Sequence, residues 1–67
     1  MNVDKLKGKV KENQMTQEQF AKAIGIDRST LDRRYSNEES FKIGEVNKAV
    51  RVLCLSKSEA ADIFLPQ

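Results

Sequence analysis

The 67-residue sequence contains no histidine, a single cysteine (Cys54) and only three glycines. Without histidine, and with one thiol, the usual nitrogen and sulfur ligands of a zinc site cannot be assembled. No intrachain disulfide can form, so nothing suggests a secreted scaffold stapled by bridges. Gly8, Gly25 and Gly44 stand alone and far apart, which excludes a glycine-rich phosphate loop. The commonest acid–base group near neutral pH is missing too. No enzymatic activity, metal or cofactor is therefore expected. The longest nearly uncharged stretch, residues 52–56, falls far short of the ~20 residues a membrane span needs. Residues 1–11 interleave lysine with apolar residues and lack a signal-peptide core. The expectation is a cytoplasmic protein with no membrane partner.

What is present is charge. Twelve Lys and Arg stand against ten Asp and Glu, a net +2. Residues 1–37 hold eight bases and five acids, net +3, while residues 38–67 hold four and five, net −1. A basic first half points mildly toward a polyanionic partner. The length allows one domain, residues 1–67, and a thin core: a chain this short buries only about 60% of the surface it exposes when unfolded.

The apolar pattern predicts five short helices and an all-α fold. Val3, Leu6 and Val10 form one stripe on a first helix ending near Asn13–Gln14. Thr16 and Gln19 have the spacing of a capping box, opening a second helix that buries Phe20, Ala21 and Ile24. Gly25 suits the left-handed residue after that helix, and Ile26 plugs the gap behind it. Asp27 is an N-cap for a third helix, from Arg28 to about Tyr35. A polar loop at residues 36–40 follows. A fourth helix begins near Ile43, with Ile43, Val46, Val50 and Leu53 expected on its buried stripe. Ser56 and Glu59 form a second capping box, with Leu55 as a hydrophobic staple. The fifth helix runs through Phe64, and Pro66 marks its stop. Cys54 is read as a small core residue.

Residues 16–35 thus present a capped helix, a glycine turn and a second capped helix, the helix-turn-helix layout. The run Thr16-Gln17-Glu18-Gln19-Phe20-Ala21-Lys22-Ala23-Ile24-Gly25-Ile26-Asp27-Arg28-Ser29-Thr30-Leu31 resembles the lambda-repressor-like (Cro/repressor, xenobiotic-response-element type) helix-turn-helix family. Downstream, Phe41-Lys42-Ile43-Gly44-Glu45-Val46 and Leu53-Cys54-Leu55-Ser56 are similar to small members from temperate phages. The resemblance covers nearly the whole chain. It implies a compact five-helix DNA-binding domain acting as a transcriptional regulator in the cytoplasm of a bacterial host, part of a lysis–lysogeny switch. Its implied partner is double-stranded operator DNA, roughly palindromic, bound as a homodimer.

The helical wheel assigns candidate roles. At about 100° per residue, Leu31 and Tyr35 lie about 40° apart and define the buried side of the third helix. Arg33 then points outward; Ser29, Asp32 and Ser36 share that half and Arg28 sits on its edge. Arginine suits bidentate contact with guanine, so Arg28, Ser29 and Arg33 are the candidate base contacts. The bland alternative is a solvated face with an Arg28–Asp32 pair at i,i+4. Thr30 and Arg34 lie on the flank, as candidate phosphate contacts or equally as solvated residues. The resemblance adds Gln17, at a helix start suited to phosphate, and Lys42. Tyr35 is expected to fill the core rather than stack on a base. Phe64 and Leu65 are the candidate dimer contact; the alternative has Phe64 in the core and Leu65 frayed. Ligand sensing or self-cleavage by a C-terminal effector domain is not expected.

Where many members of the family end the third helix in Glu-Asn-Gly, this chain has Arg34-Tyr35-Ser36-Asn37. Glu38 and Glu39 follow, and carboxylates are unfavourable beside a polyanion unless they point away. They support a second reading, a phage antirepressor or modulator that binds the partner repressor protein; the resemblance implies a third possibility, an antitoxin-type regulator.

Overall fold

In a computed structural model the structure describes residues 1–65, and these contain five helices and no strand. They are α1 (Val3–Glu12), α2 (Gln17–Ala23), α3 (Arg28–Tyr35), α4 (Ile43–Val52) and α5 (Lys57–Phe64). The Cα radius of gyration is 10.6 Å. Expected helix starts hold to the residue, and the caps explain why. Thr16 accepts from the Gln19 N–H while Gln19 accepts from the Thr16 N–H. Ser56 and Glu59 repeat the exchange at α5. Asp27 accepts from the Thr30 N–H at 2.7 Å, and Asn2 accepts from the Lys5 N–H. At α4 Lys42 has no side-chain oxygen to offer, so only the reciprocal half exists: Glu45 accepts from the Lys42 N–H at 3.1 Å.

Helices α1 to α4 all end alike. The residue after each C-cap takes a left-handed conformation: Gln14 (φ 59°), Gly25 (φ 83°), Asn37 (φ 64°) and Cys54 (φ 53°). The next residue donates its N–H five positions back, as in Met15 to Val10 and Ile26 to Ala21. Such pairs of turns satisfy carbonyls that a helix end leaves open. Only one of the four is glycine, so the sequence marks the left-handed conformation at only one of them, although α1 and α3 end where expected, near Asn13 and at Tyr35. The same geometry corrects the reading of Cys54, which is exposed: a left-handed residue at a helix stop is carried on the surface while its neighbours Leu53 and Leu55 turn inward.

The core takes Leu6 and Val10 from α1, Phe20 and Ala21 from α2 with Ile24 behind them, and Leu31 from α3. Ala49, Leu53, Leu55 and Ile63 complete it. Helices α1 and α5 lie together: the Asn2 N–H donates to the Ile63 carbonyl at 2.8 Å. Lys5 pairs with Asp62, and Lys9 with Glu59. Ile43 corrects the expected stripe of α4, for it is 81% exposed. The inward face carries Ala49, Val50, Val52 and Leu53, centred about 100° away from Ile43 at a helix's ordinary turn of about 100° per residue. Pro66 lies outside the described residues.

Candidate nucleic-acid interface

The region of interest is the α2–turn–α3 unit. Phe20, Ala21 and Ile24 bury the inner side of α2, and the left-handed Gly25 reverses the chain. Ile26 packs partly against the core before Asp27 caps α3. Leu31 anchors α3 at 0% exposure. The opposite face is free: Arg28, Ser29, Asp32 and Arg33 are all exposed.

Both outward guanidinium groups are held by carboxylates. Arg28 Nε lies 3.1 Å from Asp32 Oδ1. Arg33 Nε lies 3.0 Å from Glu39 Oε1, and its Nη2 donates to the Thr30 hydroxyl. All four charged side chains keep roughly half their surface in water. Pairs so exposed contribute at most about 1 kcal/mol, so either arginine can exchange its partner for another acceptor. Ser29 donates its hydroxyl to Asp27 Oδ1 at 3.0 Å, which leaves its oxygen able only to accept. Asp27 is held below the usual carboxylate range by its hydrogen bonds with Thr30 and with Ser29.

Arg34 corrects the flank assignment. It is 4% exposed, with Nε and Nη2 donating to the two oxygens of Glu45 at 3.0 and 3.1 Å. Its Nη1 faces Glu39 Oε2 at 3.3 Å. Glu45 holds the Arg34 pKa above its ordinary value, and Arg34 in turn lowers that of Glu45. An arginine buried between two carboxylates is a structural tie from α3 to the start of α4, not a free phosphate donor. Glu45 was not a candidate on sequence grounds, because Lys42 is no capping residue and the N3 position of α4 therefore carried no signal.

The remaining candidates divide. Thr30 is half-buried and Lys42 is exposed, with no carboxylate within 4 Å of its ammonium among the described residues. Gln17 is half-buried at the start of α2, and its Oε1 accepts from the Tyr35 hydroxyl. Tyr35 fills space beside the core as expected; burial pushes its phenol up to about 12. Its ring also lies under Lys7, whose ammonium is 5.0 Å from the centroid. The Lys7–Tyr35 contact joins residues 28 positions apart, beyond the reach of any periodicity argument. At the other end, Phe64 is half-buried and packs edge-on against Phe41 at 5.7 Å and 80°, while Leu65 is 59% exposed.

The whole chain, residues 1–67, matches one family, described as "Protein of unknown function (DUF739)". The protein belongs to the DUF739 family. No curated protein and no solved structure matches it. On the surface of the DUF739 chain α3 offers two loosely held arginines and a serine on one side; Thr30 on the same helix is half-buried, and Lys42 at the start of α4 is exposed.

Proposed function

We propose that α2 and α3 form a helix-turn-helix of the lambda-repressor-like type, and that this protein is a sequence-specific DNA-binding transcriptional regulator of the phage Cro/repressor kind. The observation that carries the reading is the outward face of α3, where Arg28, Ser29 and Arg33 stand exposed while Leu31 is wholly buried. A short helix anchored on one side and bearing arginine on the other suits the major groove. Arg28 and Arg33 serve as guanine readers, with Ser29 as an acceptor for a base amino group. Gln17, Thr30 and Lys42 contact phosphates, which position the protein without reading sequence. One such unit covers little DNA, so the protein binds as a dimer on half-sites about 34–36 Å apart, joined through Leu65 and the outer side of Phe64. The setting is the cytoplasm of a bacterial host.

The decisive experiment is selection of binding sites from a random duplex library, followed by footprinting upstream of the protein's own gene. The reading predicts one enriched palindromic motif and a protected site. No enrichment over input would overturn it.

A second reading rests on a specific observation. Glu38 is exposed in the loop before α4, and Ile43, beyond Phe41 and Lys42, holds a large apolar side chain in water. An acidic, apolar-centred surface suits a protein partner, namely the repressor that an antirepressor would bind. A gel shift with and without that repressor separates the two readings, since steep salt dependence on DNA alone favours the first.

A further inference from the structure

Lys7, Gln17 and Tyr35 come from three different helices and meet at one place. The Tyr35 hydroxyl donates to Gln17 Oε1, which fixes the orientation of that amide. Its nitrogen, Nε2, is then the free end, and no acceptor among the described residues takes its protons. The Tyr35 ring carries Lys7 on its face. Lys5, Lys9, Arg28, Arg33 and Arg34 all lie within 4 Å of a carboxylate; Lys7, like Lys11 on the same helix, has no such partner among the described residues, and it alone is held on an aromatic ring there. A ring face attracts a cation without neutralising it, so this ammonium keeps its full charge. Beside a recognition helix whose arginines are already compensated, Lys7 supplies positive field that no neighbouring carboxylate cancels.

We propose that Lys7 and Gln17 form a phosphodiester-binding site on double-stranded DNA, with Tyr35 as the positioning residue that holds both donors. The proposal rests on the DNA-binding reading and extends it to two residues, Lys7 and Tyr35, that play no part in base or phosphate contact there. The Lys7 ammonium meets a non-bridging phosphate oxygen, and the Gln17 Nε2 proton meets a second. Tyr35 does not touch the DNA. Because burial keeps its phenol protonated far above neutral pH, it remains a donor and adds no negative charge beside the phosphate.

The test is the salt dependence of binding to a random-sequence duplex, which requires no knowledge of the operator. Wild type is compared with Lys7→Gln, Tyr35→Phe, Gln17→Ala and the Tyr35→Phe/Gln17→Ala double variant, with thermal unfolding recorded for each. Lys7→Gln should make the slope of log K against log salt shallower by about 0.9, the loss of one phosphate contact. Tyr35→Phe keeps the ring under Lys7 and so keeps the fold. It should weaken binding roughly three- to tenfold, the scale of one oriented hydrogen bond. In the double variant the second substitution should add nothing. An unchanged slope in Lys7→Gln, or additive losses in the double variant, would overturn this site while leaving the DNA-binding reading in place. Wild type that binds no duplex at all would overturn that reading, and the site with it.

Discussion

Arg34 and Tyr35 are neighbours in sequence that do opposite things. Arg34 turns in to Glu45 and Glu39, so removing it strands a mostly buried carboxylate. Arg34→Ala should therefore cost about 3 kcal/mol, the usual penalty for breaking a buried pair, as read by chemical denaturation. Tyr35 is the only tyrosine and there is no tryptophan, so its ionisation can be followed by ultraviolet absorbance without interference. Its midpoint should lie at about pH 12, against about 10 in the unfolded chain. The neutral phenol is the form the fold favours. Stability from this residue is thus complete below pH 10 and lost as pH rises through 12. Glu59 works in the other direction: its hydrogen bond with Lys9 and the Ser56 N–H hold it at about 2. Its contribution is complete above the ordinary carboxylate range and disappears as pH falls toward 2. Glu59→Gln should flatten that part of the acid-unfolding curve.

Helix starts were legible in the sequence, and so were the ends of α1 and α3; the left-handed conformation at three of the four helix stops was not. Thr16, Asp27 and Ser56 announce their helices because a side-chain oxygen must meet a free N–H, and each does so. The left-handed stops at Gln14, Asn37 and Cys54 are hidden because those residues adopt at a cost what Gly25 adopts freely. Cys54 is small enough for a core, but its left-handed backbone carries it to the surface. Ile43, Val46, Val50 and Leu53 fit a stripe at helical spacing, but Ala49 belongs to the buried face and shifts it away from Ile43. Arg34 falls on the flank of the α3 wheel, and its partner Glu45, eleven residues on, lies beyond any local spacing. These causes yield measurable consequences. Gly8 is exposed in the middle of α1, and a Cβ there would meet nothing within 4 Å. Gly8→Ala should stabilise the protein by about 0.5–1 kcal/mol. Gly25→Ala should cost about 1 kcal/mol or more, because φ is +83°, a left-handed conformation costly for any residue with a Cβ. Denaturant midpoints at constant slope check both.

Taken whole, the molecule is a five-helix body built around wholly buried side chains such as Phe20, Leu6 and Ile63. Its apolar exposure is concentrated in Ile43 and Leu65 among the large side chains of the described residues. The proposed dimer uses Leu65, so sedimentation on operator DNA should show two chains per site, and Leu65→Ser should reduce this to one without lowering the unfolding temperature. A single chain per operator in the wild type would contradict the dimer. The net charge of only +2, twelve bases against ten acids, makes general attraction to a polyanion low, so the proposed DNA binding leaves selectivity to the arginines. That is the central claim, and Arg33→Ala tests it most directly. The measurement is the ratio of affinities for the selected operator and for a scrambled duplex at one salt concentration. Loss of a guanine reader predicts a fall in that ratio of at least about fivefold, corresponding to a bidentate contact of roughly 1–3 kcal/mol. Equal weakening on both duplexes would contradict the claim and reduce Arg33 to a phosphate contact.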